Sequence, residues 1–295
     1  MSVQRALVLG AAGQLGQVCM DSAPETVAAE GVSRASCDVT DDASLRKVLD
    51  EVDPQVVINA AAYTAVDAAE DNPESADAVN ANAPAMLGAL CAQRGLRLVH
   101  ISTDFVFDGR AHRPYTPGAD PSPLGVYGAS KWRGEQAVLA SGAGHALVRT
   151  SWVYGPGGRN FVMTMLRLMR EQGRVRVVND QIGSPTSARG LADVCWLLAL
   201  HGDASGVFHW SDAGAISWYD FACGIHDEAL ALGLLSAPAT IEPIPTEAFP
   251  TKAQRPAYSV LDCSATCSAL NVTQQLWRDA LRDMLRSQKE LEETV

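Results

Sequence analysis

The sequence predicts an α/β fold: a doubly wound, mostly parallel sheet with a smaller C-terminal lobe. Three observations predict it. Short apolar segments (Ala6-Leu7-Val8-Leu9, Val56-Val57-Ile58, residues 96–101 and Ala146-Leu147-Val148) alternate with helical patterns through the first half of the chain. Glycines at 10, 13 and 16 stand between the first strand and the first helix. Beyond residue 154 the alternation loosens, as it does where a chain leaves a sheet to build a lobe. We expect residues 1–154 to form the sheet domain, with 188–214 and 272–291 returning to it, and 155–187 and 215–271 to form the lobe.

The first strand runs into the three glycines, and residues 14–23 read as the helix behind them. Glycine suits a tight turn, a close backbone approach to a pyrophosphate and close packing of helix on strand; the helix N-terminus then faces the phosphates. The second strand falls within residues 25–33, and its end is where an adenosine ribose is read. An acidic residue there favours NAD. This chain has Arg34, whose guanidinium can pair a 2′-phosphate, so NADPH is the expected cofactor, with NADH also accepted. Thr40 or Asp41 caps a helix reaching Leu49, and Asp53-Pro54 breaks the chain before a buried strand ending in Asn59-Ala60-Ala61-Ala62. Small residues at that strand end leave room for a cofactor. Asp67 and Glu70 read as a solvated face or as support behind a site, and a helix is expected from Asn80 to Arg94, ended by Gly95.

The central strand delivers Ser102 and Thr103. The loop from 110 to 125, rich in Pro and Gly, is placed to shape access to a site. Tyr127 and Lys131 open the next helix four residues apart and so share a face. An ammonium near a phenol favours the phenolate, drawing the Tyr pKa from about 10 toward the working pH, where a general acid is most effective. Thr103 can hydrogen-bond the same substrate oxygen. Tyr127, Lys131 and Thr103 are therefore the expected catalytic set.

In the second half, a helix from Asn160 carries Phe161, Met165, Leu166 and Met169 as a core stripe, and residues 175–178 form a strand. Residues 187–200 return as a helix, and 207–210 form a short strand in which His209 reads as structural or a rim contact. Ser217 caps a helix to Leu232, residues 238–250 form a proline-spaced linker or edge segment, and Thr273 caps a closing amphipathic helix through Trp277, Leu281 and Leu285.

Composition limits the partners. A net charge of -11 argues against nucleic acid, whose phosphates call for clustered Lys and Arg, but not against a nucleotide held by backbone N–H groups and a few Arg side chains. Seven scattered cysteines without a Cys-x-x-Cys pair read as reduced thiols of a cytoplasmic protein. The N-terminus lacks the apolar stretch of a signal peptide, and no run approaches the length of a membrane span.

Several stretches carry a resemblance: Gly10 to Gly16, Asn59 to Asp67, Ser102-Thr103-Asp104, Tyr127 to Lys131, Arg149 to Tyr154, Asn179 to Thr186, and Arg255-Pro256. Together they resemble the extended short-chain dehydrogenase/reductases and, more narrowly, the dTDP-4-dehydrorhamnose reductase family. They span nearly the whole chain in the family's order. Phe105 departs, since Tyr is usual there, and nothing after Leu291 matches. The resemblance implies a Rossmann-like fold and NADPH-dependent reduction of the 4-keto group of dTDP-4-dehydro-6-deoxy-L-mannose to dTDP-L-rhamnose. It implies cofactor contacts from Gly10, Gly13, Gln14, Leu15, Gly16, Arg34, Asp38, Val39, Ala61, Ala62, Tyr63, Thr64, Ile101, Tyr127 and Lys131. Substrate contacts are implied from Thr103, Asp104, Tyr127, Trp152, Asn160, Gln181 and Arg255.

Some members dimerise through magnesium held by acidic side chains. Here the segment after Thr186 reads Ser187-Ala188-Arg189, so no metal ligand is assigned and a homodimer stays open. Two other readings stay open: another nucleotide-sugar epimerase or reductase of the superfamily, and a non-catalytic cofactor-binding subunit. Asp104-Phe105 offers one carboxylate where dehydratases place an acid pair, and a binding subunit has no use for the proton donor Tyr127.

Overall fold

The structure, a computed structural model, describes residues 4–294. The first half comprises β1 (Gln4–Leu9), α1 (Gln14–Asp21), β2 (Val27–Val32), α2 (Asp42–Val52), β3 (Val56–Asn59), α3 (Val66–Asp71), α4 (Pro73–Asp77), α5 (Ala83–Arg94), β4 (Arg97–Thr103), α6 (Val126–Ala140) and β5 (Gly144–Thr150). It continues with β6 (Val153–Tyr154), α7 (Phe161–Gln172), β7 (Arg174–Val178), β8 (Ile182–Gly183), β9 (Thr186–Ser187), α8 (Ala188–Leu200) and β10 (Gly206–His209). The last elements are β11 (Ile216–Ser217), α9 (Trp218–Ala231), β12 (Thr240–Ile244), α10 (Ser264–Leu270) and α11 (Trp277–Thr294).

Six strands form one parallel sheet in the order β2-β1-β3-β4-β5-β10. Successive strand residues point to opposite faces, so each strand feeds two cores. Val8, Ile58, Val99 and Val148 pack under α1 and α8, with Leu15, Cys19, Leu191 and Trp196. Leu7, Leu9, Val57 and Leu98 pack under α2 and α5, with Leu45, Leu49, Leu87 and Leu90. Strand order reverses between β1 and β3, and the crevice beyond the carboxyl ends of strands at such a point is where α/β sheets bind ligands.

A third core joins α7, β7, α9 and α11 through Val162, Leu166, Phe221, Ile225, Leu281 and Leu285. It corrects the expected chain division. Of residues 272–291, Val272 packs on the α1/α8 core, but α11 from Trp277 on does not return to the sheet, because its apolar face is buried against α9, where Arg278 and Arg282 also pair with Glu228. Residues 261–270, assigned to the lobe, pack on the sheet side instead: Leu261 and Cys263 lie with Val106 and Phe107, and Leu270 lies in the α1/α8 core. Nor does Thr273 cap α11, which begins at Trp277. A bridge between Ala213 and Leu276 holds the preceding residues extended. The segment 238–250 contains an edge strand, β12, paired in parallel with β7 and accommodating Pro243.

The helix expected from Asn80 starts earlier. Pro73 opens α4, which runs through a π-helical turn at Ala78–Asn82 into α5, and Gly95 closes α5 in the left-handed region (φ 65°). Such a turn displaces one carbonyl from the helical ladder, and π turns are frequent at functional sites.

Candidate active site

At the reversal point the backbone is packed to its limit. Gly10 has φ +79°, and a Cβ there would lie 2.7 Å from the Ala61 nitrogen; a Cβ on Gly16 would lie 2.2 Å from the Gly10 carbonyl oxygen. Gly13, in extended conformation, is the N-cap of α1 and donates its N–H to Gly10 O (2.9 Å), so the free N–H groups of the first turn of α1, from Gln14 and Leu15 on, face the crevice mouth. A cradle that side chains would fill, at a helix N-terminus, fits a dinucleotide pyrophosphate. Ala61 is fixed from below by Asn59, whose Oδ1 accepts the Ala61 N–H (3.2 Å); Ala62 and Tyr63 follow half-buried and Thr64 exposed. Arg34 lies exposed two residues beyond β2, and Asp38 next to it accepts the Thr40 N–H and hydroxyl while Val39 packs on the lower core.

Thr103 ends β4 and Tyr127 opens α6. The Thr103 hydroxyl donates to Asp104 Oδ1 (3.0 Å) and accepts the Phe105 N–H (3.2 Å). Lys131 is buried, and its Nζ donates to the Ile101 carbonyl (2.6 Å). Burial lowers its pKa to about 8 against the pull of Glu135. For Tyr127 the structure corrects the sequence-based expectation: burial pushes the phenol up to about 12, a hydrogen bond with Thr103 opposes this, and the Asp104 carboxylate adds to it. Desolvation of the phenolate dominates and outweighs any pull toward neutrality from the Lys131 ammonium one turn along α6. Burial also lifts Asp104 to about 6, against hydrogen bonds from Ser259 and Thr103. His100, beneath them, is held neutral by burial and by Lys131, its Nδ1 3.1 Å from Asn59 Nδ2.

Three neighbours fix α6. Glu70 Oε1 accepts the Val126 N–H (2.8 Å), so this carboxylate caps the helix rather than facing solvent. Asn80, from the π turn, accepts the Tyr63 N–H and donates to Tyr63 O and Ser130 Oγ (2.9, 3.0 and 3.1 Å). A Cβ on Gly134 would lie 2.0 Å from the Asn80 carbonyl oxygen, and one on Gly128 would lie 2.1 Å from Phe105 O, so α6 touches backbone at both points.

Beside this set lies a cavity of about 380 Å³, lined by Phe105, Trp152, Gln181, Arg255 and Ser259 together with residues of α7, β7 and α9. Phe105 also meets Tyr127 edge to face, centroids 5.5 Å apart. Arg255 pairs with Asp67 (2.7 Å) and lies 5.8 Å over the Phe105 ring. Asp67 is thus support for the site, as is Glu70. Gln181 donates to Thr246 Oγ1 (3.1 Å). Asn160 is not on the cavity wall. Its Oδ1 caps α7 at the Met163 N–H (3.0 Å), and its Nδ2 donates to Gly155 O and Gln14 Oε1 (2.8 and 2.7 Å), tying the glycine turn to α7 with no polar atom left over. His209 is buried away from the cavity on the Tyr115 carbonyl (3.0 Å), with burial and Arg149 holding it down to about 3.

Sequence reasoning missed part of the wall. Phe161, Thr164, Met165 and Leu168 share one helical face of α7 and line the cavity, so Phe161 and Met165 serve it as well as the core. Their spacing was the available signal. Arg176, Trp218 and Phe249 are further lining residues with no local signature.

The family described as RmlD substrate binding domain matches residues 4–290. This chain belongs to it. Among relatives of this RmlD-type chain, the dTDP-4-dehydrorhamnose reductase of Mycobacterium tuberculosis (strain ATCC 25618 / H37Rv) is 40% identical over 288 residues, covering 96% of this chain and 92% of that protein. The dTDP-4-keto-6-deoxy-D-glucose reductase of Streptomyces niveus is also 40% identical, over 94% of this chain and 95% of that one. The crystal structure of the dTDP-4-dehydrorhamnose reductase from Bacillus anthracis str. Ames in complex with NADP superimposes with a TM-score of 0.91 at 34% identity, covering 96% of this chain and 99% of that one. Among the described residues no cluster of His, Cys, Asp or Glu could hold a metal ion, and no helix is long and apolar enough to cross a membrane.

Proposed function

We propose that this protein reduces the 4-keto group of dTDP-4-dehydro-6-deoxy-L-mannose with NADPH, giving dTDP-L-rhamnose. The observation that carries the reading is the conjunction of the glycine cradle at the β1/β3 reversal, the neighbouring Thr103, Tyr127 and Lys131, and a mostly apolar cavity whose wall includes Phe105, the ring that meets Tyr127 edge to face. The cradle of Gly10, Gly13 and Gly16 would hold the pyrophosphate and Arg34 the 2′-phosphate. When bound, the nicotinamide supplies the hydride. Tyr127 keeps its proton at neutral pH and releases it only to a strong base, which the carbonyl oxygen becomes as reduction proceeds. Thr103 orients that oxygen and Lys131 supplies the positive charge that stabilises the phenolate left behind. Trp152, Gln181 and Arg255 would contact the sugar nucleotide. Seven free thiols support a cytoplasmic setting.

The test is loss of NADPH absorbance on mixing the purified protein with freshly made dTDP-4-dehydro-6-deoxy-L-mannose. Because a relative of equal identity carries the name of a D-glucose-configured keto sugar reductase, that isomer is the second arm. Faster turnover of the D-gluco isomer would reassign the substrate, and no oxidation with either would favour a non-catalytic subunit.

A further inference from the structure

Behind Lys131, one helical turn deeper, lies a second buried charge that the reduction itself does not use. Tyr127, Lys131 and Glu135 follow one another at four-residue spacing along α6, on one face, and all three are buried. The Glu135 carboxylate is gripped from β5 by Arg149: Nε lies 3.0 and 3.2 Å from the two oxygens and Nη2 lies 2.7 Å from Oε2. Arg149 is itself anchored, with Nη1 donating to the Pro117 carbonyl (3.2 Å), its guanidinium 5.1 Å over the Phe107 ring, and neutral His209 3.5 Å away. The Glu135 carboxylate sits one turn from Lys131, the only buried lysine among the described residues, whose other neighbours, Tyr127, His100 and the Ile101 carbonyl, carry no full negative charge to hold an ammonium in place.

We propose that Glu135, clamped by Arg149, is a positioning residue for the reduction: its negative charge keeps Lys131 protonated and seated on the Ile101 carbonyl inside the dry site. The inference rests on the reading of Tyr127 and Lys131 as the proton-donating pair. Burial already works against the ammonium and Glu135 against that burial, so losing the carboxylate loses the ammonium at lower pH. The titratable and charged groups facing this region are Tyr127 and Glu135 on α6, His100 and Asp104 at β4, Arg149 on β5 and His209 on β10.

The experiment compares kcat/KM from pH 6 to 9.5 for wild type, Glu135→Gln, the double variant Glu135→Gln/Arg149→Met, and Tyr127→Phe. Urea unfolding midpoints are taken over the same range without cofactor or substrate. Removing one partner of a buried pair can itself destabilise the fold, whereas replacing both by neutral groups is often tolerated, so the double variant carries the test if the single one does not fold. The expected result is an alkaline limb moved down by about one pH unit or more in both Glu135 variants, with activity near pH 6 largely kept. In urea, the deficit of the Glu135 variants should shrink as pH rises through 7 to 9, because the Lys131 ammonium that misses its counter-charge is then being lost in wild type too. A double variant with a wild-type limb and a pH-independent urea deficit overturns the proposal, leaving Glu135 a structural ion pair. Full turnover in Tyr127→Phe would instead sink the underlying mechanism.

Discussion

Trp152 and Trp218 stack face to face, with ring centroids 3.5 Å apart and planes 12° from parallel. Trp152 adopts φ +48°, a strained value for a bulky residue, and its indole is backed by Gly183, where a Cβ would lie 2.6 Å from the ring. The stack joins the chain leaving β5 to the first residue of α9 and forms one wall of the cavity. Trp152→Ala should raise KM for the sugar nucleotide by roughly tenfold while changing KM for NADPH little, from the loss of an aromatic pair and of apolar contact. Gly183→Ala should act in the same direction by displacing the ring. Steady-state kinetics with both substrates decide it, since equal losses for both together with a lower melting temperature would make Trp152 a core residue only.

Tyr127→Phe should lower kcat on the order of 10²-fold or more, the usual scale for a general acid, and leave NADPH binding nearly unchanged. Fluorescence titration with NADPH beside the turnover assay separates the two effects.

Arg34→Ala should shrink the preference for NADPH over NADH by one to two powers of ten, about 1.5–3 kcal/mol for a charge-assisted contact. The loss should fall on NADPH, because the 2′-hydroxyl of NADH gains little from a guanidinium. An unchanged ratio would leave Arg34 an ordinary surface arginine.

Asp104 makes stability pH-dependent with a definite sign. Its folded-state pKa, raised by burial to about 6 from the ordinary 3.8, means the unfolded chain ionises first. The stabilisation is therefore complete below about pH 4 and lost as pH climbs through 6, by roughly 3 kcal/mol at 1.36 kcal/mol per unit. Asp104→Asn should flatten urea-unfolding stability between pH 4 and 7. Some slope should persist from Asp212, which burial lifts to about 7.

What could be read in advance was what local spacing encodes. The glycine turn, the strands that end at Asn59 and Thr103, and the face shared by Tyr127 and Lys131 each follow from a few neighbouring residues. The destination of an amphipathic helix does not. The stripe of α11 fits a sheet face as well as it fits α9, and only the arginines opposite Glu228 tell them apart. Asn160 shows a related limit, since an amide that can touch a sugar can equally cap α7 and reach Gln14. The Tyr127 phenol was misjudged because its proximity to Lys131 is local, whereas the desolvation that outweighs it comes from the whole surrounding core.

The two missing side chains on α6 amount to an index mark. Tyr127 lies seven residues before Gly134, and Gly128 is its immediate neighbour. Turning the helix by one residue, about 100°, would drive the Cβ of Arg133 or Glu135 into the Asn80 carbonyl and that of Tyr127 or Ala129 into the Phe105 carbonyl. Sliding it along its axis meets the same stops. The helix can therefore engage its neighbours in a single setting, as a key with two notches enters a lock one way, and the aim of the phenol is machined into the backbone by atoms that are not there.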